Sequence, residues 1–428
     1  MSPRAALLHA PLAALLAAIL AAAPAAAGGN CSVTSVGFTP LNQLGAGTYH
    51  GFQGGLYPGG ANQRPTAHNA AGVAIANAIA PLDTLGVPDP SSAVVLISIG
   101  MSNTTFEFSH FVPKAMGNPL RNPSLLVIDC AEGGQSADRI VDPAAPYWSF
   151  VSSRLRLAHS SPAQVQAVWL KEAIQHPTGS FPASMDTLMW DLGAIVRLIE
   201  QKMPNVKLCY MTSRIYAGYA TGVSTLNPEP FAYESGFAVK GLIIAQLGGA
   251  DSLSYTLGHA PWLSWGPYLW ADGLTPRSDG LIWPCADFNS DGTHPDDAGR
   301  EVVADSLMAF FSADETTRPW FLAPGATGVG SAGAGTGIDL AVAPNPARDG
   351  VAIGFTAAAG EPWRIEIVDA AGRQVAEVAR GTGSGARETS RWAVRESSGA
   401  AARPGVYWAR LTIGRRQASR RFTVLESR

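Results

Sequence analysis

The chain has 428 residues, 46% of them hydrophobic and 15% charged, with a formal net charge of −3. That length accommodates two or three domains of about 100–200 residues each, and the near-neutral balance offers no basic surface for nucleic acid. The 46 glycines and 31 prolines predict many turns.

Residues 1–27 read as a secretory signal peptide. Arg4 supplies the positive start, residues 12–23 an apolar stretch, and Ala25-Ala26-Ala27 a small-residue cleavage site before Gly28. The stretch falls short of the ~20 residues that span a bilayer, and Pro24 interrupts it. No second run has membrane length, so the mature chain is expected to lack a transmembrane segment and to be secreted or surface-held. Four cysteines, Cys31, Cys130, Cys209 and Cys285, allow three disulfide pairings in an oxidising compartment, and no Cys-x-x-Cys pair suggests zinc.

Residues 28–60 read as an irregular lead-in. Residues 65–80 have helix-compatible spacing, with Thr66 as a cap and Pro81 as a stop. Residues 93–97 form an apolar run that predicts a buried strand, followed at once by Ser98-Ile99-Gly100-Met101-Ser102-Asn103. A second run, 124–129, ends in Cys130-Ala131-Glu132-Gly133-Gly134, and a third lies at 165–170. The spacing of Leu188, Leu192, Ile195, Val196 and Ile199 predicts a helix over 185–203, and residues 206–211 the next strand. Strand-like runs alternating with helices predict a parallel sheet buried on both faces, with its ligand site at the carboxyl ends of the strands. Ser102, Gly133-Gly134 and Thr212-Ser213-Arg214 all follow such ends. Residues 297–311 predict a final helix.

The chemistry is expected at Ser102, Asp291 and His294. A serine hydroxyl needs a neighbouring base to become a nucleophile, histidine suits that task near neutral pH, and a carboxylate fixes its tautomer. Asp291 and His294 stand three apart in Asp291-Gly292-Thr293-His294-Pro295, so one tight turn aims both at one place. A calcium loop competes for the same stretch: Asp287, Asn289, Asp291 and Gly292 fit its first half, but Ala298 stands where a carboxylate should close it. No metal and no cofactor is implied. Trp262, Trp265, Tyr268, Trp270 and Trp283 are candidates both for a sugar or acyl site and for the core.

The serine block, the Gly133-Gly134 turn and Asp291-x-x-His294, in this order over residues 93–311, resemble the SGNH, or GDSL-like, hydrolases. Gly100-Met101-Ser102-Asn103 is similar to the serine block of the carbohydrate acetylesterase branch, Gly-Gln-Ser-Asn. The resemblance implies a flavodoxin-like three-layer α/β/α fold and ester hydrolysis. It makes Ser102 the nucleophile, His294 the base and Asp291 its orienter, with the N–H groups of Ser102 and Gly134 (or Gly133) in the oxyanion hole. Asn103, next to the serine, is a candidate to position substrate or loop. It places Lys171 where the family carries an Asn or Gln oxyanion donor. The implied partner is an ester: an acetylated glycan, a lipid or a polyester.

Residues 323–337, nearly all Gly, Ala, Ser and Thr, read as a linker. Beyond them lysine disappears and short alternating runs with turn signals predict a small β-sandwich over 338–428. Ala343-Pro344-Asn345-Pro346, Val368-Asp369-Ala370-Ala371-Gly372-Arg373 and Pro404-Gly405-Val406-Tyr407 resemble the FlgD-like immunoglobulin-like domain and the type IX secretion sorting domain, which implies a secretion or cell-surface attachment apparatus as a partner. The expected order is signal peptide 1–27, hydrolase-like domain 28–322, linker 323–337 and sandwich 338–428. The rival function is a non-catalytic surface, adhesion or glycan-binding protein on a hydrolase-like fold, since fold alone does not imply activity.

Overall fold

The computed structural model describes residues 29–222, 224–324, 340–369, 373–396, 398–414 and 416–425. The expected signal peptide, most of the expected linker and the Ala370-Ala371-Gly372 landmark lie outside the described residues.

Five parallel strands make the first sheet: β1 Val94–Gly100, β2 Leu125–Ile128, β3 Val165–Lys171, β4 Leu208–Met211 and β5 Trp262–Trp265, in the order β2-β1-β3-β4-β5. This is the flavodoxin-like doubly wound order. Every residue of β1, β3, β4 and β5 is buried, as a sheet covered on both faces requires. The covering helices are α1 Thr66–Ala78, α2 Ser102–Gly117, α3 Pro146–Leu157, α4 Ala183–Lys202, α5 Phe231–Leu247 and α6 Asp297–Ala313. Thr66 is the first residue of α1 and makes no cap, because Pro65 stands before it.

The helix α2 begins where β1 ends, and it carries both core and site. Phe108, Phe111 and Ala115 recur at helical spacing and are fully buried. Phe108 stacks on Trp169 of β3 at 5.4 Å and Phe111 on Phe311 of α6 at 5.4 Å. Each such ring contributes roughly 1.5–3 kcal/mol by leaving water. The residues Asn103, Thr104 and Glu107 face inward as well, so the first turn of this helix is polar yet buried.

The helix α5 and the strand β5 leave little trace in the sequence. Twelve of the seventeen residues of α5 are buried, so it has no polar face to set a period. The aromatic residues around β5 are core: Trp262, Trp270 and Trp283 are 0% exposed, Trp265 3% and Tyr268 6%. Their N–H groups are spent inside the protein, as with Trp265 on Leu56 O and Trp283 on Leu269 O, both 2.8 Å. None of the five lines the cavity that opens at Ser102.

Past the first core lies a sandwich of antiparallel strands: β6 Leu340–Ala343, β7 Val351–Thr356, β8 Pro362–Asp369, β9 Gln374–Thr382, β10 Arg387–Trp392, β11 Gly405–Ile413 and β12 Arg416–Val424. They form one sheet in the order β9-β8-β11-β12 and a second in the order β10-β7-β6. Alternate residues (Ile353 and Phe355, Ile365 and Ile367, Ala409, Leu411 and Ile413) close a separate core. The strand β12 touches the first domain: Arg421 reaches Asp287 Oδ2 at 3.4 Å and Ile282 O at 3.3 Å, and Arg420 reaches Asp279 O at 3.0 Å.

The cysteines form one disulfide, Cys31–Cys285, and leave Cys130 and Cys209 as buried thiols. Cys130 follows β2 and Cys209 lies on β4, with β1 and β3 between them. Strands about 4.8 Å apart put them far beyond the ~7 Å Cα limit for a bridge. The Cys31–Cys285 bond closes 254 residues of chain and ties the first described segment to the loop that leads to Asp291. Cys31→Ser/Cys285→Ser is expected to lose about 2–5 kcal/mol of stability. Denaturant melts of the variant and the oxidised parent check this; coincident curves would refute it.

Candidate active site

Ser102 sits at the first turn of α2, after an extended Met101 (φ −96°, ψ −159°). A helix start leaves its first N–H groups without intrahelical acceptors and carries a partial positive charge. Ser102 Oγ lies 2.7 Å from His294 Nε2, and His294 Nδ1 lies 2.5 Å from Asp291 Oδ2. An ionised carboxylate only accepts, so Nδ1 carries the proton and Nε2 is free to accept from the serine.

The turn holding Asp291 and His294 is fixed from several sides. Asp291 Oδ1 accepts from the backbone N–H of Thr293 at 3.0 Å and of His294 at 2.9 Å. Burial would raise the Asp291 carboxyl, but the His294 ring and these two N–H groups hold it at about 2. Gly292 has φ +70°, and a Cβ there would meet the backbone of Tyr219 at 2.5 Å, so only glycine fits. Thr293 O accepts from Asn103 Nδ2 at 2.9 Å, and Thr293 Oγ1 accepts from Arg214 Nη2 at 2.8 Å while donating to Leu226 O at 2.9 Å.

The other expected site residues divide. Gly134 (φ +76°) lines the cavity at Ser102. A Cβ on Gly133 would lie 3.9 Å from Ser102 Cβ, so this turn sits beside the serine. It is braced by Ser98, whose Oγ accepts from Cys130 N and Ala131 N and donates to Asp129. Asn103 lines the same cavity, is 2% exposed and donates from Nδ2 to Thr293 O, which secures the His294 turn.

Lys171 is a correction. Its Nζ donates to both carboxylate oxygens of Glu107 on α2, with the two side chains 1% and 0% exposed. Burial pushes Lys171 down to about 8 and Glu107 up, each against the pull of the other. With two of its three hydrogens on Glu107 and its side chain outside the lining of the cavity at Ser102, Lys171 is not placed to meet an oxyanion there. Glu107 is its buried counter-ion. The calcium reading also loses its geometry: Asp287 turns to Arg421 and Asp291 to His294.

The cavity at Ser102 has a volume of about 440 Å³, in the range of small-ligand sites. Three of its polar residues were absent from the expected set: Gln175, Arg214 and Asn227. Arg214 follows β4 at the carboxyl edge of the sheet, a position the sequence marks without giving it a role. Gln175 and Asn227 lie in loops with no signature.

No protein-family model and no curated protein matches this chain. Among solved structures, a gut microbial diltiazem-metabolizing enzyme is similar at 9% identity over 72% of each chain, with a TM-score of 0.32. The periplasmic domain of a lipopolysaccharide acetyltransferase from Salmonella ser. Paratyphi A is similar at 12% identity, over 50% of this chain and 82% of that one, with a TM-score of 0.28. Dimeric latent PorU from Porphyromonas gingivalis matches 21% of this chain at 20% identity with a TM-score of 0.19, and the match spans 9% of PorU. All three scores are under 0.5, and no conclusion about this chain rests on them. Among the described residues no helix is long and apolar enough to cross a membrane.

Proposed function

We propose that this protein is a serine ester hydrolase of the SGNH type. The observation that carries the reading is the unbroken chain of hydrogen bonds from Ser102 Oγ through His294 to Asp291 at the carboxyl edge of the parallel sheet. Ser102 Oγ attacks the acyl carbon as His294 Nε2 takes its proton. The oxyanion meets the N–H groups of Ser102 and Gly134, and the side-chain donor is Gln175. Gln175 lines the cavity, and its amide carries N–H groups of the kind an oxyanion needs. His294 returns the proton to the departing alcohol. Water, deprotonated by His294, then releases the acid from Ser102.

The C-terminal sandwich is read as a module for export or surface attachment, supported by its three sequence landmarks, and the chain as secreted or held at the cell surface. A fluorophosphonate probe tests the esterase reading: it labels Ser102 in the parent and leaves Ser102→Ala unlabelled. Equal labelling of the two, or none in the parent, would overturn it.

A further inference from the structure

Asp291 and His294 stand in the tip of a hairpin that backbone pairs define. Asp287 O accepts from Asp296 N at 3.0 Å, Phe288 and Pro295 pair as an antiparallel bridge, and Asn289 N donates to His294 O at 2.8 Å. Two attachments hold the base of this hairpin. One is the Cys31–Cys285 bond, two residues before Asp287. The other comes from the C-terminal sandwich. Arg421 Nη1 on β12 stands 3.4 Å from Asp287 Oδ2, and Arg421 Nη2 donates to Ile282 O at 3.3 Å. Its neighbour Arg420 donates from Nη2 to Asp279 O at 3.0 Å. Asp279 is itself held by Arg277 through two bonds of 2.9 and 2.7 Å, so β12 rests on a braced segment.

The Asp287 side chain is 3% exposed. A carboxylate this far from water needs a partner of opposite charge. Burial pushes Asp287 up to about 6, Asp296 adds to the rise, and Arg421 is the group that pulls it back. The packing around Asp287 is close: a Cβ on Gly299, in the first turn of α6, would meet Asp287 O at 2.2 Å. Without Arg421 the carboxylate has neither water nor a counter-charge. It then takes up a proton or opens the base of the hairpin to water, and both give up the tie to β12. The tip of the hairpin carries the histidine whose Nε2 must stay 2.7 Å from Ser102 Oγ, and small misplacements of a reacting group are costly. Arg421 does not line the cavity at Ser102, so its influence passes through Asp287 and the hairpin.

We propose that Arg421 is a positioning residue for Asp291 and His294: the C-terminal sandwich, seated through β12 on residues 279–287, holds the acid–base turn against Ser102. The sandwich is then part of the support of the site, and lifting it from this seat lowers turnover. The effect on turnover rests on the ester-hydrolase reading above, whereas the tie between sandwich and hairpin does not.

Amide hydrogen exchange and esterase kinetics on the full chain test it together, at a temperature where melts show each variant folded. In Arg421→Met the amides of residues 287–296 are expected to exchange about tenfold faster or more, with those of β1 and β3 unchanged. The kcat for p-nitrophenyl acetate is expected to fall about ten- to hundredfold, with KM within about twofold of the parent. Arg421→Lys keeps the charge and is expected to stay within about threefold of the parent in both readouts. Arg420→Ala strands no charge; it is expected to speed the same amides by about threefold, and it carries the test if Arg421→Met does not fold. Lower stability with parental kcat and parental exchange at 287–296 overturns the proposal. So does faster exchange spread equally over β1, β3 and the hairpin, or confined to the hairpin with kcat unchanged. Faster exchange of the hairpin in Arg421→Met, beside a parent that turns over no ester, supports the seat of the sandwich and removes the esterase.

Discussion

Ser102→Ala is expected to lower kcat/KM for p-nitrophenyl acetate by on the order of 10⁴- to 10⁶-fold, with the unfolding midpoint close to that of the parent. The size follows from the way the three groups act as a unit. Ser102 alone is a weak nucleophile, and it becomes a strong one only through a base already 2.7 Å away in the correct tautomer. His294→Ala is therefore expected to cost about as much, and the double variant little more than either single one. Asp291→Asn is expected to cost about 10⁴-fold, because an amide favours the wrong histidine tautomer. Strictly additive losses, or activity retained in Ser102→Ala, would remove the serine from the reaction. Asp291 also has a signature in stability. Its carboxyl is held at about 2 in the folded protein, below the ~3.9 of an unperturbed aspartate. Its contribution is thus complete above about pH 4 and disappears as the pH falls through 2. The parent should lose stability more steeply than Asp291→Asn over that window in denaturant melts.

Lys171→Met is expected to destabilise the protein by about 3–5 kcal/mol, because it strands the Glu107 carboxylate in the core. The pair bridges β3 and α2, the helix whose first turn carries Ser102, and both its side chains are almost wholly out of water. Removing both charges differs from removing one: Glu107→Leu/Lys171→Met exchanges the pair for apolar volume and is expected to return close to parental stability. Urea melts of the two singles and the double decide it, and a double variant as unstable as the sum of the singles would count against the pairing. The same series separates two roles for the lysine. An oxyanion donor, when removed, costs about 10²–10³-fold in kcat with little change in stability. A structural partner gives the opposite pattern, with the folded double variant recovering turnover.

The strands β1 to β4 were legible because each is a short apolar run between turn residues, and a parallel sheet buried on both faces needs just that composition. The helix α4 was legible because one of its faces meets water and the other the core, which imposes a period. The strand β5 and the helix α5 were not, since an element buried on nearly all sides loses that contrast. The four tryptophans near β5 and its following loop look the same in sequence whether they line a site or fill a core. Only their 0–3% exposure assigns them to the core. Lys171 misled for a related reason. Its place at the end of β3 fits a donor to the site, but the direction of its side chain depends on Glu107, 64 residues away in the chain. The cysteine count likewise allowed two bridges, and strand order left room for one.

By itself the sequence determined the order of the proposed reacting groups along the chain, Ser102 after β1 and the Asp291–His294 turn before α6. A nucleophile after β1 and an Asp-x-x-His turn are local arrangements, written in adjacent residues. What the tertiary structure decided is everything that depends on distant side chains meeting: the 2.7 Å approach of Ser102 to His294 across 192 residues, the withdrawal of Lys171 into an ion pair, and the arrival of Gln175, Arg214 and Asn227 at one cavity. Burial removes water as a partner, so each polar group must find its match within the protein. Asp287, at the base of the turn that carries His294, finds its cation on Arg421 of β12.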